Sequence, residues 1–221
     1  MDTPPPLPPI LLDAAGWFVL DKPAGLAVHP GPRTPDSLEQ LLPLYAPSRP
    51  VPQLVHRLDR DTSGCLLVAR RASMLRALSQ QFANGEVQKL YWALVRNPPA
   101  EDAGEIDAPL LKVSSREAGW RVQVSAEGKP AQTLWTIEAR QGDIALVAFR
   151  PQTGRTHQIR VHATLLGKGA AIVGDPVYGE ADARGMMLHS RALEFRAPNT
   201  NEVMRAEAPC PARFAALGFE V

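Results

Sequence analysis

The chain has 221 residues, with 24 Lys and Arg against 23 Asp and Glu. A formal net charge of +1 gives no bulk attraction to a polyanion, so a nucleic-acid site has to be a local patch. An ordinary 45% hydrophobic content excludes a largely disordered chain and fits one domain with a sizeable core or a domain with two lobes. No apolar run approaches the roughly 20 residues that span a bilayer. The start, Met1-Asp2-Thr3 followed by prolines, has the wrong chemistry for a secretory signal, so a cytoplasmic location is expected. Cys65 and Cys210 lie far apart outside any Cys-x-x-Cys pattern; neither a disulfide framework nor a zinc site is indicated, and Cys65 reads as a small core residue.

Residues 1–15 read as a proline-rich extended arm, because Pro4, Pro5, Pro6, Pro8 and Pro9 block helix and central strand alike. Residues 16–221 then form the folded domain. Trp17-Phe18-Val19-Leu20 predicts a strand, Asp21 to Gly25 a turn, and Leu26-Ala27-Val28 the second arm of a hairpin. Leu38 to Leu44 fits a short helix capped by Asp36 or Ser37.

The densest stretch is His56-Arg57-Leu58-Asp59-Arg60-Asp61-Thr62-Ser63-Gly64, followed at once by the apolar Cys65-Leu66-Leu67-Val68-Ala69. This reads as a charged loop feeding a buried strand. Unpaired charges so close to a core cost several kcal/mol each, and a functional site is the usual reason to accept that cost.

Past Ala69, Leu75, Leu78 and Phe82 repeat at helical spacing, with Ser73 as N-cap and Asn84-Gly85 as the stop. Val87 to Val95 predicts a strand with Leu90, Trp92 and Leu94 toward the core, and Lys89, Tyr91 and Ala93 on the opposite face. Trp120 to Val124, Gln132 to Ala139, Ile144 to Arg150 and Leu188 to Phe195 read as further strands, mostly antiparallel. Arg155 to Leu166 predicts a helix whose N-terminus holds Arg155, where the helix dipole disfavours a cation by about 0.3–1 kcal/mol and so suggests an acidic partner. His157 and His162 do not share a helical face, and no zinc set is completed. Pro211 to Leu217 is a short closing helix.

His-Arg-Leu-Asp-Arg-Asp-Thr-Ser-Gly at 56–64 resembles the signature of the RluA family of RNA pseudouridine synthases. Leu20 to Pro30, Lys89-Leu90-Tyr91, Gly128-Lys129-Pro130, Thr153 to His162, Gly174 to Gly179 and Leu188 to Phe195 are similar to further family motifs in the family's order. Ser190 stands where the family more often shows Ala. The resemblance spans roughly residues 16 to 198 and implies an α+β pseudouridine synthase fold, with a mixed, mainly antiparallel sheet, flanking helices and a central RNA-binding cleft.

That resemblance implies an isomerase that breaks the uridine glycosidic bond, turns the uracil and rejoins it through C5, without cofactor or metal. Asp59 is then the catalytic residue, as nucleophile or as base. Tyr91 lies against the nucleotide, and Arg155 pairs with Asp59 and holds it ionised. Arg57 helps hold the extruded base, and Arg60, Lys89 and Arg160 are candidate RNA-binding cations. The expected partner is a structured stem-loop in ribosomal or transfer RNA, met by a monomeric catalytic domain without the S4-type domain that many members carry. One rival is a nucleoside or glycoside hydrolase using Asp59 and Asp61, since residues two apart in extended chain lie about 6.6 Å apart, near the spacing of inverting glycosidases. The other is a catalytically silent RNA chaperone on the same fold.

Overall fold

The computed structural model describes residues 7–31, 36–46, 50–115 and 119–219. Two compact units are formed, the first from Met1–Val87 with Ser190–Pro209 and the second from Gln88–His189 with Cys210–Val221.

The first unit opens with β1 (Ile10–Asp13), paired antiparallel to β2 (Trp17–Lys22). The expected extended arm therefore ends in a strand: the sequence past Pro9 is Ile-Leu-Leu-Asp, with every backbone N–H available to a ladder. Pro4, Pro5 and Pro6 lie outside the described residues. The expected hairpin after Gly25 does not form, and Ala27 instead makes an isolated bridge to Ser37. Helix α1 (Leu38–Leu41) follows, with the Ser37 N–H donating to the Gln40 side chain at 3.0 Å, and a 3-10 turn continues it over Leu42–Tyr45.

Short β3 (Gln53–Leu54) and fully buried β4 (Ser63–Ala69) flank the charged loop, and β2 pairs with β4 from Trp17↔Ala69 to Lys22↔Gly64. Helix α2 (Ala72–Ala83) starts with Arg71 rather than Ser73 as its N-cap, and Gly85 at φ 74 turns the chain out after it.

In the second unit, β5 (Gln88–Arg96), β6 (Ala103–Asp107), a β7–β8 hairpin (Leu110–Ser115, Gly119–Val124), β9 (Gln132–Gln141) and β10 (Ile144–Pro151) follow in turn. The antiparallel order is β5-β10-β9-β6, so β10 is central and Ala145 to Phe149 have no exposure. β5 does not have the single core face expected of it: Tyr91, Ala93, Leu94 and Val95 are all buried, while Trp92 is half-buried. Helix α3 spans only Gln158–Ala163, and β11 (Ala171–Ile172) pairs with β5.

β12 (Leu188–Arg196) then runs into the first unit, where it lies beside β4 and pairs with β13 (Val203–Glu207). One face of that sheet buries Trp17, Val19, Cys65, Leu67, Leu193 and Phe195 under Leu78 of α2, with Trp17 edge-on to Phe195 at 4.9 Å. Cys65 is a core residue as expected, and burial pushes its thiol up to about 12. Phe18 on the other face meets Tyr45 of the 3-10 turn. The tail closes in α4 (Ala212–Ala215). Among the described residues no helix is long and apolar enough to cross a membrane. The result is an α+β fold on mainly antiparallel sheet.

Candidate active site

Leu58 is buried and its two neighbours in sequence are not, so the loop is pinned through an apolar side chain while Arg57 is exposed and Asp59 half-buried. The backbone around them is fastened from several sides. His56 Nε2 accepts the Leu67 N–H at 3.0 Å, and its ring stacks on Phe82 at 4.5 Å. Thr62 N–H donates to the Asp59 carbonyl at 3.2 Å, which closes the turn. Gly64 then enters β4 at φ 104, a conformation that a residue with a Cβ rarely adopts.

The strongest fastening comes from Lys22, which has no exposure. Its Nζ donates to the carbonyls of Pro23, Leu26 and Arg60 at 2.8, 2.9 and 2.9 Å. Gly25 N–H donates to the same Arg60 carbonyl at 2.9 Å. One buried ammonium thus ties the Lys22–Leu26 turn to the residue after Asp59. Hydrogen bonds to a charged group are worth about 1.5–3 kcal/mol, so Lys22→Met is expected to lower the unfolding free energy by at least about 2 kcal/mol. Urea titration reads this, and a loss below about 0.5 kcal/mol, the scatter of ordinary surface substitutions, would show that the loop stands without the ammonium.

In the second unit, the Thr153-Gly154-Arg155 turn between β10 and α3 is equally determined. Buried Gln158 accepts from Thr153 Oγ1 at 2.7 Å and from Arg155 N–H at 2.9 Å, and its Nε2 donates to Gln132 O and Thr133 Oγ1 at 2.9 Å each. Lys89 Nζ donates to Thr153 O at 2.9 Å, and burial pulls its pKa down to about 8. Arg155 Nε donates to Pro130 O at 3.0 Å. Gly128, two residues before Pro130, lies so close to β7 that an added Cβ would come 2.5 Å from the backbone of Leu110. Arg155 is exposed and stands ahead of the six-residue α3, not in its first turn, so the helix-dipole argument does not apply to it.

Several candidate cations have partners within the protein. Arg160, expected to face RNA, is buried: its Nε and Nη2 reach Asp175 Oδ2 and Oδ1 at 2.7 and 2.8 Å, and its guanidinium lies 5.2 Å from the Tyr178 ring centroid. Burial pushes the Asp175 carboxyl up, but the Arg160 guanidinium and the N–H groups of Val177 and Tyr178 outweigh it and hold the carboxyl below its usual range. Lys89 serves the Arg155 turn. Arg60 is exposed and shares its guanidinium with Asp61 at 3.1 Å. That pairing engages the carboxylate which a two-Asp hydrolase would need.

Both histidines considered for metal have structural partners. His162 Nδ1 lies 2.8 Å from Thr133 Oγ1 and Nε2 3.1 Å from Ala108 O, and burial lowers its pKa. His157 Nδ1 lies 2.9 Å from the Tyr178 hydroxyl. Tyr91 is buried in β5, opposite Phe149 of β10. Lys22, Gln158, Asp175 and Tyr178 were not singled out from the sequence.

With a Lys-Pro-x-Gly turn bound to a His-Arg-Leu-Asp loop, and a Thr-Gly-Arg turn locked by a helix glutamine, the chain carries the ordered motif set of one enzyme class. Residues 16–165 match the family described as RNA pseudouridylate synthase. The chain belongs to that family, whose members are isomerases of uridine in RNA.

An RNA pseudouridine synthase of Zymomonas mobilis, itself uncharacterized, is 48% identical over 214 residues, 95% of this chain and 97% of that protein. Ribosomal large subunit pseudouridine synthase C is 44% identical in Yersinia pestis and 42% in Escherichia coli, over 90% of this chain in each case. The chain spans 65% and 66% of the length of those two enzymes. Human RNA Pseudouridylate Synthase Domain Containing 4 shares the fold at TM-score 0.77 with 24% identity, covering 96% of this chain and 94% of that one. Human RNA Pseudouridylate Synthase Domain Containing 1 does so at TM-score 0.75 with 27% identity, covering 94% and 86%.

Proposed function

We propose that this synthase acts in the cytoplasm, as a monomer, on a uridine in a structured stem-loop of ribosomal RNA, with transfer RNA as the other substrate class. The likeness to ribosomal large subunit pseudouridine synthase C over most of this chain favours large-subunit ribosomal RNA. Asp59 is the catalytic carboxylate, acting on the ribose as nucleophile or as general base while the N1–C1′ bond breaks. The uracil turns, C5 bonds to C1′, the C5 proton leaves to solvent and N1 regains one, so the product is an isomer and no co-reactant is consumed. Tyr91 contacts the nucleotide, Arg155 is the third catalytic residue, and Arg57 supports an extruded base whose unstacking costs a few kcal/mol.

The observation that carries this reading is the fastening of the Asp59 loop. Lys22, Gly25 and His56 fix the backbone on both sides of a half-buried carboxylate, which is how a reacting group is held in place before substrate arrives. A silent chaperone would have no use for so much order at one Asp.

Mapping pseudouridines in RNA from cells with and without the protein tests the proposal. One or a few sites in large-subunit ribosomal RNA are expected to disappear. Loss confined to transfer RNA would move the substrate, and an unchanged map would remove the assignment.

A further inference from the structure

The β7–β8 hairpin carries a large aromatic side chain that the core does not use. Strand alternation puts Leu110, Lys112 and Ser114 of β7 on one face with Trp120 and Val122 of β8. The inner part of that face is filled: Leu110 and Val122 pack with Ala131, Val161 and Tyr178, and the Val122 N–H donates to the Tyr178 hydroxyl at 2.9 Å. Trp120 stands beyond them and is 47% exposed.

An indole left in water forgoes a large part of the 150–250 Å² that such a side chain buries elsewhere. Trp120 is nevertheless held in place. The His157 ring lies 4.9 Å from it at 34°, and His157 is itself fixed by the Tyr178 hydroxyl and by a backbone φ of 54. Lys112 Nζ sits 4.5 Å from the Trp120 ring centroid. Strands β7 and β8 contain Lys112 and Arg121, both exposed, and no carboxylate. Exposed Arg155 is two residues from His157.

We infer that Trp120 is a stacking platform for an unpaired base of the substrate RNA, with Lys112 placed to meet the phosphate beside that base. The inference rests on the synthase reading and adds a contact outside the catalytic residues. Every base has a π face, so such a platform adds affinity without demanding one sequence, while a cationic surround suits a polyanion. In a chain of net charge +1, a braced aromatic is an economical way to grip RNA.

The test uses the full chain and a short uridine-containing stem-loop from large-subunit ribosomal RNA. Binding is followed by quenching of tryptophan fluorescence and by anisotropy of labelled RNA; turnover is followed by tritium release from C5-labelled uridine under single-turnover conditions. Trp120→Ala is expected to raise Kd about 5- to 150-fold, the range one stacked base contributes, with the saturated rate within about twofold of wild type. Trp120→Tyr keeps a π face and is expected to bind within about fivefold of wild type. A Kd for Trp120→Ala within about twofold of wild type, or a Tyr variant as weak as the Ala variant, overturns the stacking role. Wild-type protein that binds the stem-loop through Trp120 but releases no tritium would sink the enzymatic reading and leave the platform standing.

Discussion

Asp59→Asn is expected to abolish tritium release from C5-labelled uridine RNA while leaving RNA affinity within about threefold of wild type. The substitution preserves shape and removes only the charge and basicity of one carboxylate. Proton transfer by a placed side chain alone contributes about 10²–10⁴-fold, and loss of a nucleophile costs more, so the rate should fall by at least that range. Binding should survive because a carboxylate does not attract a polyanion. The loop should survive too: its fastening runs through Lys22 Nζ to Arg60 O, Leu67 N–H to His56 Nε2 and Thr62 N–H to the Asp59 carbonyl, all of which the Asn side chain leaves untouched. Turnover within tenfold of wild type would remove Asp59 from the chemistry. The assignment would also fail if the rate were normal at saturating RNA and only Kd had moved.

The elements legible in the sequence are those whose cause is local. β4 and β10 are continuous apolar runs, and both are central buried strands. Helix α2 repeats its apolar residues at the spacing that places Leu78 against the sheet. The fastening of the site was not legible, because its partners are far apart in sequence: Lys22 bonds to a carbonyl 38 residues on, Gln158 to a threonine 25 residues back. A buried lysine and a helix glutamine have no pattern that distinguishes them from surface residues of the same type. Arg160 looks like a surface cation in the sequence for the same reason, since the carboxylate that claims it lies 15 residues further along, across a turn. Strict alternation supposes one solvated side and so puts Tyr91 on an open face, whereas β5 is buried on both faces, with Tyr91, Ala93 and Val95 on one and Leu94 on the other. β1 was hidden by its neighbours: five prolines before Ile10 suggested an arm, yet the four residues that follow pair with β2.

The Arg160–Asp175 pair gives the largest expected effect on stability. Both side chains are buried, at 7% and 0% exposure, and the contact is two-pronged. Breaking a buried pair by neutralising one partner costs about 3–5 kcal/mol, because the other charge stays in a poor dielectric without compensation. Asp175→Asn isolates that cost, since an amide oxygen still accepts from the Val177 and Tyr178 N–H groups at the positions where Asp175 Oδ1 does, 2.9 and 3.1 Å away. Replacing both residues, as in Arg160→Met with Asp175→Asn, should recover much of the loss, so the cycle returns a coupling of more than about 1 kcal/mol. The pH dependence follows from the same pair. The folded carboxyl titrates below its ordinary value of 3.8, so its contribution is complete above about pH 4 and is lost as pH falls through the lower folded value. Urea unfolding of wild type and Asp175→Asn at pH 7 and at pH 3 measures both. The gap between them should be widest at pH 7 and should narrow in acid, as protonation does to the wild type what the amide does to the variant. The pair also reaches the site: Asp175 shapes the turn that presents Tyr178, whose hydroxyl holds His157 beside the Trp120 indole. A stability gap that stays constant from pH 7 to pH 3 would show that Asp175 contributes through its hydrogen bonds alone and that its charge is not coupled to Arg160.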